Sequence, residues 1–311
     1  MCEHGETVEM EAPPPLPHER NVPLSGLTTF RIGGPADLLL LPRTAEDFVT
    51  GVRWCRQHKL RLTILGGGSN VLVADTGIRG AVMTTTGLDR ISHDGNRVIS
   101  ECGATVDALC EFCAELQLAG AENFYGMPGT VGGAVFMNAR CYGRSMADIL
   151  DSVTVVDAEG DSRDIPAADC LFAYKQSRFQ VRREWIVVAR FSCAVLPEVT
   201  ELRHTMATVR RKRMQMGQYA LPNAGCVFKN DYQLGIPSGK IIEDCGLKGR
   251  NFGDAVVYEK HANFIVNRGR ATATDVLALL EYVEAEVMRQ TGIRLQRELR
   301  LLGFEDGNSD T

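Results

Sequence analysis

Two glycine-rich stretches carry the chemistry that residue type and spacing suggest most plainly. The longer runs from Asn123 to Gly143, NFYGMPGTVGGAVFMNARCYG, with glycines at 126, 129, 132, 133 and 143. The shorter, LGGGSN, runs from Leu65 to Asn70. Glycine leaves the backbone unobstructed, so several N–H groups can converge on one bound anion. Together the stretches read as the floor and wall of a dinucleotide pyrophosphate site. A Rossmann G-x-G-x-x-G turn would open into a helix. Here Gly66, Gly67 and Gly68 lead instead into VLVAD, a further strand, and the P-loop ending Gly-Lys-Ser/Thr is absent. Pro128-Gly129-Thr130 reads as a turn, and Val131 to Ala139 opens a short helix whose N-terminus would face the anion. The bland alternatives are a plain β-turn at GGGSN and close helix–strand packing at the longer stretch.

Other reactive side chains are less organised. Cys110 and Cys113 form a CxxC pair, but no second CxxC or HxxxH completes a zinc site. They share a helical face with Val106, Leu109 and Leu116, which suits core cysteines. The six histidines are scattered, so no metal site is expected. VRRKRMQM, within Thr205 to Met216, is a basic helix, either a solvated face or an attractor for a diphosphate-bearing substrate.

The elements that must position these groups follow from periodicity. TTFRIGGPADLLLLP is strand-like from Thr28. Thr44 begins a helix with Asp47 at the capping-box position and Phe48, Val49, Val52 and Cys55 on one side. LRLTIL is a strand ending in the first glycine turn. AVMTTT and RVISEC are strands, and Ala104 to Leu118 is the CxxC helix. SVTVVDAEGDSRDI holds a hairpin through Ala158-Glu159-Gly160-Asp161. DCLFAYKQSRF and WIVVARFSCAVL read as two more strands, and Pro197 to Thr200 as a boundary. ALPNAGCVFKN is a turn carrying Cys226 before a strand-like VFK. AVVYEKHANFIVN is a strand pair. Thr272, with Asp275, starts the last long helix; Val276, Leu279, Leu280, Val283 and Val287 form its stripe, and Gly292 ends it. The final strand, IRLQRELRLLGF, carries Glu298.

The chain has 311 residues, room for two or three domains. Its composition, 44% hydrophobic and 23% charged, is that of an ordinary globular protein. A net charge of -5 argues against a dedicated nucleic-acid binder. No apolar run reaches the roughly 18 residues of a membrane span, so membrane insertion is not expected. The acidic, Pro-rich start lacks a signal-peptide pattern and reads as a mobile lead-in over residues 1–20. Ten cysteines in such a chain suit a reducing, cytoplasmic setting without a disulfide framework.

With these pieces in order, the chain resembles the UDP-N-acetylenolpyruvoylglucosamine reductases, the MurB family, from about Asn21 to Phe304. The resemblance is carried by TTFRIGGPAD, LGGGSNVLVAD, GMPGTVGGAVFMNARCYG, NAGCVFKN, GLKG, KHANFIVN, the ATATD helix start and the Glu298 strand. It implies an α+β protein: a two-lobed FAD-binding fold of the vanillyl-alcohol-oxidase type over 21–196 (lobes about 21–83 and 84–196), then a smaller α+β substrate-binding domain over 200–305 and a tail at 306–311. It implies non-covalent FAD, NADPH as co-substrate, and reduction of UDP-N-acetylglucosamine enolpyruvate to UDP-N-acetylmuramate by a cytoplasmic monomer in peptidoglycan synthesis. The short span between Tyr174 and Cys226 matches the compact subtype, which lacks an extra substrate-covering loop.

The resemblance also assigns residues. Arg31, Ile32, Gly66, Gly67, Gly68, Ser69, Asn70, Gly126, Gly129, Thr130, Gly132 and Gly133 match the flavin-binding pattern. Tyr174, Lys229, Asn230 and Glu243 match the region that meets the nucleotide-sugar. Cys226 stands at the proton-donor position, where many members have Ser, and a thiol gives up a proton far more readily than an alcohol. Glu298 would assist charge stabilisation as a protonated acid. The family's YRxS becomes Tyr174-Lys175-Gln176-Ser177, so Lys175 would supply as a point charge what arginine supplies as a fork. Arg178, at an odd offset on an expected strand, would face away. Arg140, Cys141 and Tyr258 are milder departures.

Overall fold

The computed structural model describes residues 13–196 and 198–304. The expected tail, and the lead-in over 1–12, lie outside the described residues. Part of the segment expected to be mobile is packed: Leu16 is buried against the first helix and a strand starts at His18. The Leu16 side chain packs beside Gly51 of that helix with Met83 and Leu40, which anchors the chain ahead of residue 20.

The first lobe holds β1 (His18–Pro23), β2 (Pro35–Leu40), α1 (Ala45–Gln57), β3 (Leu62–Leu65), β4 (Val71–Val73) and β5 (Ile78–Thr84). Its sheet runs β1-β2-β5-β3, with β2 and β3 both parallel to β5. Helix α1 starts where expected: Thr44 Oγ1 accepts from the Asp47 amide at 3.1 Å, and Asp47 answers the Thr44 amide at 3.2 Å. Phe48, Val52 and Cys55 are buried beneath it.

The second lobe holds β6 (Ile91–Asp94), β7 (Arg97–Glu101), α2 (Val106–Glu115), β8 (Leu118–Ala119), α3 (Val131–Phe136), β9 (Arg140–Cys141), β10 (Arg144–Ser145), β11 (Leu150–Asp157), β12 (Ser162–Pro166), β13 (Glu184–Ser192) and β14 (Ala194–Val195). Its sheet is antiparallel throughout, in the order β12-β11-β13-β7-β6. The expected hairpin joins β11 to β12, with Asp157 Oδ1 accepting the amides of Glu159 and Asp161, both at 3.0 Å. Cys110 and Cys113 are buried in one core with Phe48, Phe124 and Phe191. Leu116, expected on the same face, is exposed because the helix has already ended there.

Helix α4 (Val199–Gln215) is longer than the basic run and packs Leu202 and Met206 on the second lobe's core. Then come β15 (Asn223–Cys226), α5 (Ser238–Asp244), β16 (Asn251–Phe252), β17 (Ala255–Val257), β18 (Phe264–Asn267), α6 (Ala273–Thr291) and β19 (Arg300–Leu302). The sheet β15-β18-β17-β16 is covered by α5 and α6, whose expected stripe is fully buried. The chain then returns: β19 pairs in parallel with β4 of the first lobe. That return brings the end of the sequence beside the first glycine turn.

Three expected strands are corrected. Residues 170–180 are not a strand. Leu171 and Lys175 have φ of 50° and 57°, and Ala173 bridges to Gln176 instead of to a neighbouring strand. Short helical turns at Ala167–Cys170 and Arg178–Gln180 flank this reversal. At Cys226 the strand is NAGC, not VFK, because β18 pairs with Asn223 and Cys226. Glu298 precedes β19, in a loop that Phe228 and Arg297 bridge.

Candidate active site

The two glycine stretches run in backbone contact. A Cβ on Gly67 would lie 2.8 Å from Gly129 Cα, and one on Gly66 would lie 2.6 Å from Thr130 Oγ1. Gly129 has φ of 117°, which a side chain would strain. Both stretches line a cleft of about 2180 Å³, larger than a single small-ligand pocket of roughly 300–1,000 Å³. Among the described residues, no hydrogen bond engages the amides of Gly67, Gly68, Ser69, Gly129 or Thr130. These donors are left available to an anion in the cleft.

The helix N-terminus expected to face that anion is not part of the nest. The amides of Val131 and Gly132 donate to Ala104 and Cys102 carbonyls, both at 2.8 Å, and Gly133 donates to Thr130 Oγ1 at 3.4 Å. Gly132 serves close packing, since its Cβ would meet Cys102 Cβ at 2.7 Å. Gly126 is tethered: its amide donates to Asp107 at 2.5 Å, and its carbonyl accepts from Tyr219 at 2.5 Å. Arg31 is exposed on the cleft, whereas Ile32 is buried in the C-terminal core. Gly67→Ala would wedge the two walls apart at a cost of about 1–3 kcal/mol, as overpacking does. The variant is expected to bind FAD about 5- to 150-fold more weakly by flavin-fluorescence titration; unchanged affinity would show that the walls tolerate a side chain.

At the far end of the cleft, Lys175 Nζ meets Glu298 Oε1 at 2.5 Å, with both side chains at most 15% exposed. Lys175 sits second in the two-residue turn between Ala173 and Gln176, in a left-handed conformation that costs a non-glycine residue about 1–3 kcal/mol. Glu298 is held by its own backbone: its amide donates to the Val227 carbonyl at 2.8 Å, and its carbonyl accepts from Asn70 Nδ2 at 3.1 Å. Asn70 thereby ties the first glycine turn to this carboxylate. Burial raises the Glu298 carboxyl above its ordinary value, against the opposing charges of Lys175 and Lys229.

Cys226 lines the same cleft at the end of β15. Asn223 shapes its turn, donating to Gln218 and Leu221 carbonyls at 2.8 and 2.7 Å and accepting from the Gly225 amide at 2.9 Å. Burial, then the Glu298 charge, pushes the Cys226 thiol up to about 12, with Lys175 and Arg213 opposing. The thiol is therefore protonated at neutral pH.

The Glu298 shift has a signed consequence. Its folded pKa lies above its unfolded one, so its contribution to stability is complete below the unfolded value and is lost as pH rises through the folded value. Relative to the parent protein, Glu298→Gln is expected to gain stability as pH rises from about 4 toward 8. Urea unfolding across that range checks the slope; an opposite slope would mean that Lys175 outweighs burial.

The nucleotide-sugar candidates are only partly together. Tyr174 OH accepts from the Asn230 amide at 3.3 Å and its ring stands edge-on to Tyr232 at 4.9 Å. Lys229 follows Phe228 and its charge reaches Glu298. Glu243 lies apart on α5, exposed and ion-paired with Lys248 at 2.9 Å. Arg178 is bound to Glu184 at 2.9 Å and does not approach Lys175, for a reason other than strand alternation.

Comparison with known proteins decides the relationship. The profile of the UDP-N-acetylenolpyruvoylglucosamine reductase C-terminal domain matches residues 216–302, and that of an FAD binding domain matches residues 36–165. The reductase of Caldanaerobacter subterraneus is 36% identical over 283 residues, 91% of this chain and 93% of the relative. The reductase of Carboxydothermus hydrogenoformans is 36% identical over 284 residues, with the same coverage. The crystal structure of MurB from Thermus caldophilus superposes with a TM-score of 0.78 at 32% identity, covering 92% of this chain and 99% of that one. The chain belongs to the UDP-N-acetylenolpyruvoylglucosamine reductase family.

This reductase is therefore an FAD-dependent oxidoreductase on a two-lobed FAD-binding fold with a second α+β unit. The observation that fits FAD is the pair of glycine loops packed backbone to backbone with their amides unengaged, because a pyrophosphate needs donors without side chains between them. Among the described residues, no group of three or more His, Cys, Asp or Glu side chains could hold a metal, and no helix is long and apolar enough to cross a membrane.

One cleft residue of the reductase escaped the sequence reading. Arg213 is buried at the end of α4, donating to the Tyr125 carbonyl at 3.2 Å and to Gln218 at 3.3 Å. Its Nη2 is buried without a partner among the described residues, and the side chain lines the cleft. The available signal was helical: Arg213 continues the buried stripe of Leu202, Met206 and Val209. A cation on an apolar stripe needs a partner, and the charge run had hidden that.

Proposed function

We infer that this reductase converts UDP-N-acetylglucosamine enolpyruvate to UDP-N-acetylmuramate with NADPH as reductant, in the cytoplasmic synthesis of peptidoglycan precursor. The observation that carries this reading is that Cys226 and the Lys175–Glu298 pair line the same cleft as the two glycine walls, with the pair near enough for its charges to act on the thiol. FAD, when bound, would provide the hydride chemistry, with NADPH as the source of the electrons.

The protein's own residues do the rest. The amides of Gly67 to Ser69 and of Gly129 and Thr130 would hold the cofactor's diphosphate, and Arg31, exposed on the cleft, would add charge there. Tyr174, Lys229 and Asn230, which sit beside Lys175 and Glu298 without lining the cleft themselves, orient the nucleotide-sugar together with Glu243, which is exposed on α5 and paired with Lys248. Hydride addition at the terminal alkene carbon sends the electron pair toward the carbon bearing the carboxylate. Lys175 stabilises that developing charge, and Glu298 does so in its protonated form, as a hydrogen-bond donor. The Cys226 S–H bond breaks, its proton forms the new C–H bond, and the thiolate recovers a proton from solvent. The family's compact subtype and a monomeric state complete the reading, with an FAD-binding domain over 21–196 and a substrate domain over 200–305.

The test uses anaerobic holoprotein. NADPH should bleach the yellow flavin, and the enolpyruvyl substrate should restore its colour with formation of UDP-N-acetylmuramate. Colour that returns only with oxygen would point instead to an oxidase on the same fold.

A further inference from the structure

Gln180 lines the cleft and stands where the cofactor wall and the Lys175 turn meet. Its side-chain amide donates to the Phe136 carbonyl at 2.9 Å and to the Lys175 carbonyl at 3.1 Å. Phe136 is the last residue of α3, the helix that follows the second glycine wall. One amide group thus spans the cofactor side of the cleft and the backbone that presents the ammonium. The same loop is tied down twice more: Ser177 Oγ donates to the Phe136 carbonyl at 2.6 Å, and Asn138 Nδ2 donates to the Ala173 carbonyl at 2.9 Å. Ala173 and Gln176 close the turn with two mutual bonds of 3.2 Å.

This anchoring matters because of the residue that it presents. A lysine has a flexible four-carbon stem and a spherical charge, so its aim depends on where its backbone is fixed. An arginine fork would align itself on the carboxylate by two parallel bonds. A left-handed lysine turn also relaxes unless its surroundings hold it.

We propose that Gln180 is a positioning residue for Lys175: its amide clamps the strained turn to the end of α3, so that the ammonium stays on Glu298. The proposal rests on the role given to Lys175 above and adds the device that lets lysine serve there.

Gln180→Leu removes both donors at similar volume, and Gln180→Glu keeps the shape while losing the donors. In stopped-flow on the holoenzyme, both variants should leave flavin reduction by NADPH unchanged and slow reoxidation by the enolpyruvyl substrate about tenfold or more. In a Lys175→Met background, Gln180→Leu should cost nothing further, because the group that it positions is gone. Equal slowing of both half-reactions, or a full penalty in the double variant, would overturn the clamp. A readout free of turnover covers the case in which one variant folds poorly or the substrate is different. Acetylation of Lys175 by a water-soluble amine reagent, followed by mass spectrometry, should run several-fold faster in Gln180→Glu than in the parent protein, and an unchanged rate would also overturn it. A parent protein that the enolpyruvyl substrate cannot reoxidise would count against the proposed function, while the labelling rates would still decide the clamp.

Discussion

Cys226→Ala should leave the NADPH half-reaction intact and slow flavin reoxidation by the enolpyruvyl substrate by about 10²–10⁴, the range that a general acid contributes. The split follows from what the thiol does. Reduction by NADPH moves a hydride and needs no proton from this position. Reoxidation leaves an electron pair on carbon that must be protonated. Cys226 is a cleft thiol at the end of β15, and burial keeps it protonated. Cys226→Ser should recover part of the lost rate, because a hydroxyl occupies the same place with a less available proton. Rapid mixing of reduced enzyme with substrate, without oxygen, measures the step. Both half-reactions at parental rates in Cys226→Ala would remove Cys226 from the mechanism.

Lys175→Met should slow the same half-reaction by about 10²–10³, comparable to the loss of one preorganised charge donor. The 2.5 Å contact with Glu298 makes this a coupled change. Without the ammonium, burial acts on the Glu298 carboxyl with only Lys229 opposing, so its pKa rises further. Such a carboxyl takes up a proton instead of remaining a buried lone charge, which limits the stability loss below the roughly 3–5 kcal/mol of a broken buried pair. Lys175→Arg should retain or raise turnover, since the fork can meet the carboxylate in two places. Unchanged turnover in Lys175→Met would show that the enolate is stabilised by other groups.

The parts of this protein that were readable in its sequence are those specified locally. Thr44 with Asp47 and Thr272 with Asp275 begin helices because cap and partner lie three residues apart. The glycine walls were readable because an unobstructed backbone is written in residue type. The turn at Lys175 was not, since Leu171 and Lys175 adopt left-handed backbones that non-glycine residues rarely signal. DCLFAYKQSRF has the apolar content of a strand, and only tertiary anchoring by Asn138, Ser177 and Gln180 bends it.

Long-range links were equally silent. Asn70 reaches the Glu298 carbonyl across 228 positions, and β19 returns to β4. The resemblance to the reductases named both residues without revealing their contact. It also could not show that the first-turn amides of α3 are spent on Ala104, Cys102 and Thr130, which leaves anion binding to the loops before it.

The most direct measurement is the protonation state of the Cys226 sulfur in the holoenzyme. Infrared difference spectra between the parent protein and Cys226→Ser isolate its S–H stretch from those of the other cysteines. With the thiol pushed up to about 12, the band should persist from about pH 7 to about pH 10, where an ordinary cysteine loses it. A band already absent at pH 7 would mean that the cleft holds a thiolate with no proton to deliver, contrary to the assignment of Cys226 as donor.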